Sequence, residues 1–254
     1  MIRFPVIGTL AALALSGCVA TDFGFGDAVH ATVHERFAAR SGVHMSVSNV
    51  SGDVRILPWN QDVVDIVAIK HAASVRGLRR VTVEIDRDQV PAGSVQIETH
   101  YAHEWFGNEG SVDYTIHVPR AASLDIEEVS GDVVASGIGG SVHVHSVSGD
   151  VTAMRVGGDL TVHSVSGDVR VSMLHMNAAR NADVETVSGD IHLGLPAAAG
   201  AFVDAKSLSG DINSSWAIPT RNHVVGEEAS GTIGRGGGHV TLKSISGDIH
   251  VERN

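Results

Sequence analysis

The sequence is poor in several things at once. Its 254 residues contain one cysteine, six prolines and only 4% aromatic residues, and Lys and Arg number 18 against 29 Asp and Glu. One cysteine excludes an intrachain disulfide and any metal site built on paired thiolates. With so few rings, the 43% of hydrophobic residues imply a narrow core of stacked small aliphatics rather than a globule packed around large aromatics. The formal charge of −11 and the lack of clustered Lys and Arg argue against a nucleic-acid partner. The single basic patch, Arg76 to Arg80, is short and reads as a solvated turn. There is no Gly-x-Ser-x-Gly elbow, no His-Glu-x-x-His, no phosphate loop and no cysteine nucleophile, so neither a catalytic residue nor a cofactor is expected.

What the chain has in abundance is one short phrase. Val-Ser-Gly-Asp-Val stands at Val129–Val133, Val147–Val151 and Val165–Val169, with an upstream relative at Val50–Val54 and downstream relatives at Val187–Ile191, Leu208–Ile212 and Ile245–Ile249. Ala229–Ile233 is a degenerate copy with Thr232 in place of Asp. Recurrence in phase means stacked units, none of which can bury its apolar face alone. Between Gly149-Asp150, Gly158-Asp159 and Gly167-Asp168 a half-step of nine residues also recurs, so one coil holds two short strands and two turns. The expectation is an all-β fold, a parallel β-solenoid of about 18–22 residues per coil, with coils about 4.8 Å apart.

Alignment on the Asp assigns the faces. The residue after it (Val133, Val151, Val169, Ile191, Ile212, Ile233, Ile249) and the residue three before it (Val129, Val147, Val165, Val187, Leu208, Ala229, Ile245) are apolar throughout and are expected to be buried. The residue five before it (Glu127, His145, His163, Glu185, Lys206, Glu227, Lys243) is expected to face water. Upstream, Val81-Thr82-Val83-Glu84-Ile85 and Val112 to Val118 alternate with the period of half-buried strands, whereas His30 to Arg40 fits a short helix or a strand equally. Residues 29–128 are thus an N-terminal β portion of the solenoid and 129–254 the regular repeat, with an irregular insertion at 213–238 around Trp216, Pro219 and Arg235-Gly236-Gly237-Gly238.

Few side chains suggest chemistry. The stacked Asp132, Asp150 and Asp168 are expected to be solvated and to accept hydrogen bonds from turn N–H groups. Calcium between rungs is the alternative, though one carboxylate per turn falls short of the six to eight oxygens that ion takes. His143 and His145 share a strand face and His163 lies one coil on, a weak zinc or copper candidate; scattered outward histidines are the simpler expectation. Trp105 and Phe106, in a polar loop, are weak binding candidates, and a role in covering the open end of the core is preferred.

The N-terminus speaks to location. Arg3, the apolar run Phe4 to Leu15 and Leu15-Ser16-Gly17-Cys18 have the layout of a signal peptide, and the run is shorter than the ~20 residues that span a bilayer. Leu-Ser-Gly-Cys resembles the lipobox of bacterial lipoproteins, which implies cleavage after residue 17, lipidation of Cys18 and a membrane anchor. Val19 rather than Asp after the cysteine implies, in a Gram-negative cell, the outer membrane. Residues 18–28 then form a tether.

The repeated Ser-Gly-Asp-Val/Ile steps, together with the Val118-Pro119 step before the dense array, resemble the bacterial putative-adhesin β-strand-repeat domains of unknown function, over about residues 40–254. The resemblance implies a cell-envelope solenoid and carries over no catalytic residue. The expected function is a non-enzymatic, lipid-anchored scaffold or adhesin-like interaction surface with an unknown envelope protein or glycan as partner. The alternatives are a glycan-active solenoid enzyme and a metal-binding surface. A cleft lined by carboxylates and a basic residue on one face would favour the enzyme; a smooth polar face would favour the scaffold.

Overall fold

The computed structural model describes residues 29–102, 110–177, 179–223 and 226–254; Cys18, Trp105 and Phe106 lie outside them. One coil at the centre shows the plan. β9 (Val142–Ser148) runs to the Gly149-Asp150 corner, β10 (Val151–Val156) returns, and a second corner at Gly157-Gly158-Asp159 leads into β11 (Leu160–Ser166). β11 lies parallel on β9, with Val144 opposite Val162, and β12 (Val169–Met173) lies parallel on β10, with Val151 opposite Val169. The stack continues back through β7 (Ser123–Ser130) and β8 (Val133–Ser136) and forward through β13 (Asn181–Ser188) and β14 (Ile191–Leu195). Alternation explains the faces: Val142 and Val144 are fully buried while His143 and His145 point outward. The inward residues of both ladders form one continuous core, so every coil covers its neighbours.

The ends depart from this plan. β1 (Val29–Ser51) settles residues 30–40 as strand. Its first half pairs antiparallel with β3 (Val63–Ala72), and its second half joins the parallel stack between β5 (Ala92–Tyr101) and β7. β2 (Val54–Trp59) lies parallel between β8 and β6 (Gly110–Pro119), β3 pairs antiparallel with β6, and β4 (Val81–Arg87) pairs antiparallel with β5. The patch at Arg76 belongs to one helical turn, α1 (Val75–Leu78), capped by Ser74, whose Oγ accepts from the Gly77 N–H at 3.1 Å.

At the other end, chain order and spatial order separate. β15 (Ala201–Ser209) and β16 (Ile212–Ser214) overshoot by one rung; β17 (Thr220–Asn222) and β18 (Glu227–Ile233) follow, β18 antiparallel beside β15 and β17 antiparallel beside β18. β19 (Gly238–Ser246) then fills the place between β13 and β15, and β20 (Ile249–Arg253) the place between β14 and β16. The degenerate copy at 229–233 is therefore part of an antiparallel strand and not a parallel rung.

The residue after the Asp is buried in every copy. The residue three before it is not, and this corrects the expectation for Val129, Val147, Val165, Val187, Leu208 and Ile245, all about half exposed. Ala229, on the antiparallel strand, is the buried exception. The reason is parity. Positions five and three before the Asp are two apart on one strand and share the outer face, so the inward place between them falls to a small polar residue such as Ser146 or Ser164.

The aspartates form a ladder of their own. Asp53 N–H donates to the Asp113 Oδ1, and Asp132 N–H to Asp53. The relay continues from Asp150 to Asp132, Asp168 to Asp150, Asp190 to Asp168, Asp248 to Asp190 and Asp211 to Asp248, all at 2.8–3.1 Å. Each carboxylate except that of Asp211, the last of the relay, thus accepts a turn N–H, as expected, but from the neighbouring coil rather than from its own. Where the corner turns and the backbone carbonyl ladder is interrupted, the Asp oxygen takes over as acceptor. Asp168 shows the electrostatic consequence, since the Asp190 N–H, ahead of its Arg170 contact, holds its carboxyl below the ordinary value. A depressed native pKa means stability present at neutral pH and lost as the pH falls through that value. Because the contact needs first of all an acceptor oxygen, which Asn keeps, Asp150→Asn is expected to lose less than Asp150→Ala, which loses about 1 kcal/mol, some 2–4 °C for a chain of this size. Equal loss in both would show that charge, not the hydrogen bond, matters.

Candidate functional site

The parity that turns the −3 position outward builds the most prominent surface feature. On the outer face of β7, β9, β11, β13, β19 and β15, in that spatial order, Val129, Val147, Val165, Val187, Ile245 and Leu208 stand one above another, each 45–53% exposed. Six rungs with five steps of about 4.8 Å make a stripe about 24 Å long. Scattered exposed aliphatics are ordinary; an aligned run of them is not.

Two residues back on each strand stands the parallel column Glu127, His145, His163, Glu185, Lys243 and Lys206. Between the two columns runs a groove of about 890 Å³, reached at its far end by His223, Gly226, Glu227 and Glu228 around β17 and β18. The position between the columns is occupied by Glu128, Ser146, Ser164, Thr186, Ser244 and Ser207, all buried. The hydroxyl oxygens of Ser146, Ser164, Thr186 and Ser244 are themselves buried and have no hydrogen-bond partner among the described residues, whereas Ser207 Oγ donates to the Gly247 carbonyl at 3.0 Å.

Charges along the polar wall largely cancel. Glu185 hydrogen-bonds Lys243 and lies 3.4 Å from His163 Nδ1. The Lys243 contact holds the Glu185 carboxyl below its ordinary value, and Glu185 raises the ammonium of Lys243. Lys206 Nζ sits 3.5 Å from Glu228 and 3.6 Å from Asp204. At the first rung no ion pair neutralises Glu127 among the described residues. Next to it, burial pushes the Glu128 carboxyl up to about 7, against the opposing pull of Asn49 and of the Ser130 and Val129 N–H groups. Glu128 Oε1 accepts from Ser130 N at 3.1 Å, and Oε2 has no partner among the described residues. Behind it, Thr99 Oγ1 donates to Asn49 Oδ1 at 2.9 Å and lies 2.7 Å from the Tyr114 hydroxyl.

Of the three histidines singled out from the sequence, the structure brings two together. The rings of His145 and His163 stack at 5.1 Å with 9° between their planes. His143 occupies the preceding outward position of β9, opposite Thr161 and Asp125, outside that stack. Parallel stacked rings do not converge their nitrogens on a point, and among the described residues no three His, Cys, Asp or Glu side chains are grouped to hold a metal ion. No helix among the described residues is long and apolar enough to cross a membrane. The sequence reading missed the groove, although its signal was present: polar −5 and apolar −3 positions two residues apart must share a face.

These features define a class, an all-β solenoid with Ser-Gly-Asp corners and antiparallel ends. Comparison with protein families goes one step further: residues 41–252 match the Toastrack DUF4097 family, and the chain belongs to it. No curated protein matches significantly. Among solved structures, a putative cell adhesion protein from Clostridium sporogenes ATCC 15579 is 12% identical, with 88% of this chain and 100% of that chain covered and a TM-score of 0.49. A putative adhesin from Bacteroides fragilis NCTC 9343 is 11% identical, with 88% and 97% covered and a TM-score of 0.37.

Proposed function

We propose that the chain is a non-enzymatic, lipid-anchored cell-envelope protein whose solenoid serves as a rigid scaffold presenting an adhesin-like interaction surface. The observation that carries this reading is the aliphatic stripe and its groove. Other exposed apolar side chains, such as Met154 and Phe202, stand singly, whereas six large aliphatics in register are kept half in water here, and aligned apolar surface of this kind marks an interaction site. The lipobox-like Leu15-Ser16-Gly17-Cys18 supports the anchor, and acyl chains worth about 0.8 kcal/mol per buried CH₂ supply its strength.

The test is fractionation of bacteria expressing the full chain. The parent is expected in the membrane fraction and to incorporate labelled palmitate; Cys18→Ser is expected to lose the label and appear in the soluble fraction. Identical partitioning of the two, unlabelled, would overturn the anchor.

A glycan-active enzyme is the second reading, and one observation favours it: the groove does bring carboxylates and lysines together. Its chemistry argues the other way. Glycoside hydrolysis needs a carboxylic acid with a raised pKa beside the substrate. Glu185 is held low by Lys243, while Glu128, the carboxyl raised to about 7, is 2% exposed and beneath the groove. Among the described residues no Trp, Tyr or Phe lines the groove to stack on a sugar ring.

A further inference from the structure

We propose that the groove binds a single aliphatic chain, that of a single-chain amphiphile whose head is cationic or neutral, laid along the ladder Val129–Val147–Val165–Val187–Ile245–Leu208 with its head at the Glu127 end. This deepens the reading of the groove as an interaction surface and rests on it, but not on the lipidation of Cys18.

Shape is the first argument. A stripe about 24 Å long compares with about 15 Å for one acyl chain, half the ~30 Å hydrocarbon core of a bilayer. One extended chain and its head therefore fit, and the groove volume of about 890 Å³ leaves room for both. The second argument is what the groove withholds. The strands beneath it are paired on both sides in register, so their backbone groups are spent on one another. The four free hydroxyls of the floor are buried. A peptide lying here would leave its own N–H and C=O groups without partners against apolar surface, at a cost in every residue. A sugar would find no Trp, Tyr or Phe platform among the described residues. An alkyl chain has nothing to satisfy along its length and gains only from the stripe.

Charge selects the head. Lys243 and Lys206 already have carboxylate partners, leaving no unpaired lysine on the wall for a phosphate or carboxylate. Glu127 at the first rung has no ion-pair partner among the described residues, and at the far end, where Glu228 is paired with Lys206, Glu227 adds negative charge. An anionic head is disfavoured at both ends.

The experiment is titration calorimetry of the soluble Cys18→Ser chain with alkyltrimethylammonium ions of increasing length, kept below micelle formation, against alkyl sulfates of matched length. The expected result is affinity rising about fourfold per added methylene until the chain outgrows the groove, then levelling, with the sulfates at least tenfold weaker. The double variant Val165→Asn plus Val187→Asn, at half-exposed positions where the melting temperature should hold, is expected to lose at least tenfold in affinity. Binding independent of chain length, equal binding of both head groups, or an undiminished double variant with an unchanged melt would each overturn the proposal. So would exclusive binding of a hydrophobic peptide. None of these outcomes touches the fractionation result, so the anchor and the ligand fail separately.

Discussion

Gly167→Ala is expected to cost at least about 4 kcal/mol, the range reserved for backbone collisions and lost cores, and to lower the melting temperature by about 8–16 °C. Gly167 sits at the corner between β11 and β12 with φ +126°, a conformation that side-chain-bearing residues rarely adopt. Strain of that kind alone costs about 1–3 kcal/mol. The larger part comes from stacking. A Cβ at Gly167 would lie 2.2 Å from the carbonyl oxygen and 2.6 Å from the carbonyl carbon of Gly149, the same corner one coil away. Both atoms are backbone held in the ladder by the Asp150 and Asp168 contacts, so relief requires the coils to part. Gly42→Ala is the control, since a Cβ there meets nothing within 4 Å, and its melt is expected within a degree or two of the parent. A Gly167→Ala chain that melted with the parent would mean that adjacent corners are not superposed, and the solenoid assignment would fall with it.

The corner also shows why so much of the fold could be read from the sequence. Gly is required by φ and by the approach of the next coil, Asp by the unpaired N–H above it, and the following Val or Ile by the core. Three adjacent constraints recurring at each corner give a phrase that composition alone would not produce. Burial at Val133, Val151 and Val169 followed from it directly. What was not legible has two physical causes. Apolar residues at −3 and +1 look alike in an alignment, and only strand parity, which sends Val147 outward with His145, separates core from groove. The displaced order of the last coils has no local signature at all. β19 resembles its neighbours on either side equally well, with Val240 between Ala182 and Val203 and Leu242 between Val184 and Ala205, so nothing in its residues announces that it enters between β13 and β15.

A second substitution is expected to stabilise the chain, and only above a particular pH. The inward −4 column is small nearly everywhere, yet one of its places holds Glu128, 2% exposed, with Asp53, Tyr101 and Tyr114 as its charged or titratable neighbours. Burial raises the carboxyl from an ordinary 4.5 to about 7. The native chain therefore keeps a proton that the unfolded chain has released, and stability falls as the pH rises from about 4.5 to about 7, then levels. At about 1.4 kcal/mol per pKa unit the loss is roughly 3 kcal/mol. Glu128→Gln has nearly the same shape and no charge to desolvate, so it is expected to melt close to the parent at pH 4.5 and about 6–12 °C above it at pH 8. The exposed pairs His71 with Asp113, His100 with Glu98 and His163 with Glu185 are common to both proteins, so the difference between the two melting profiles isolates Glu128. Profiles that run parallel from pH 4.5 to 8 would mean that the carboxyl is reached by water and ionises normally. In that case the first rung opens to solvent, and the groove above it is deeper there than its lining residues indicate.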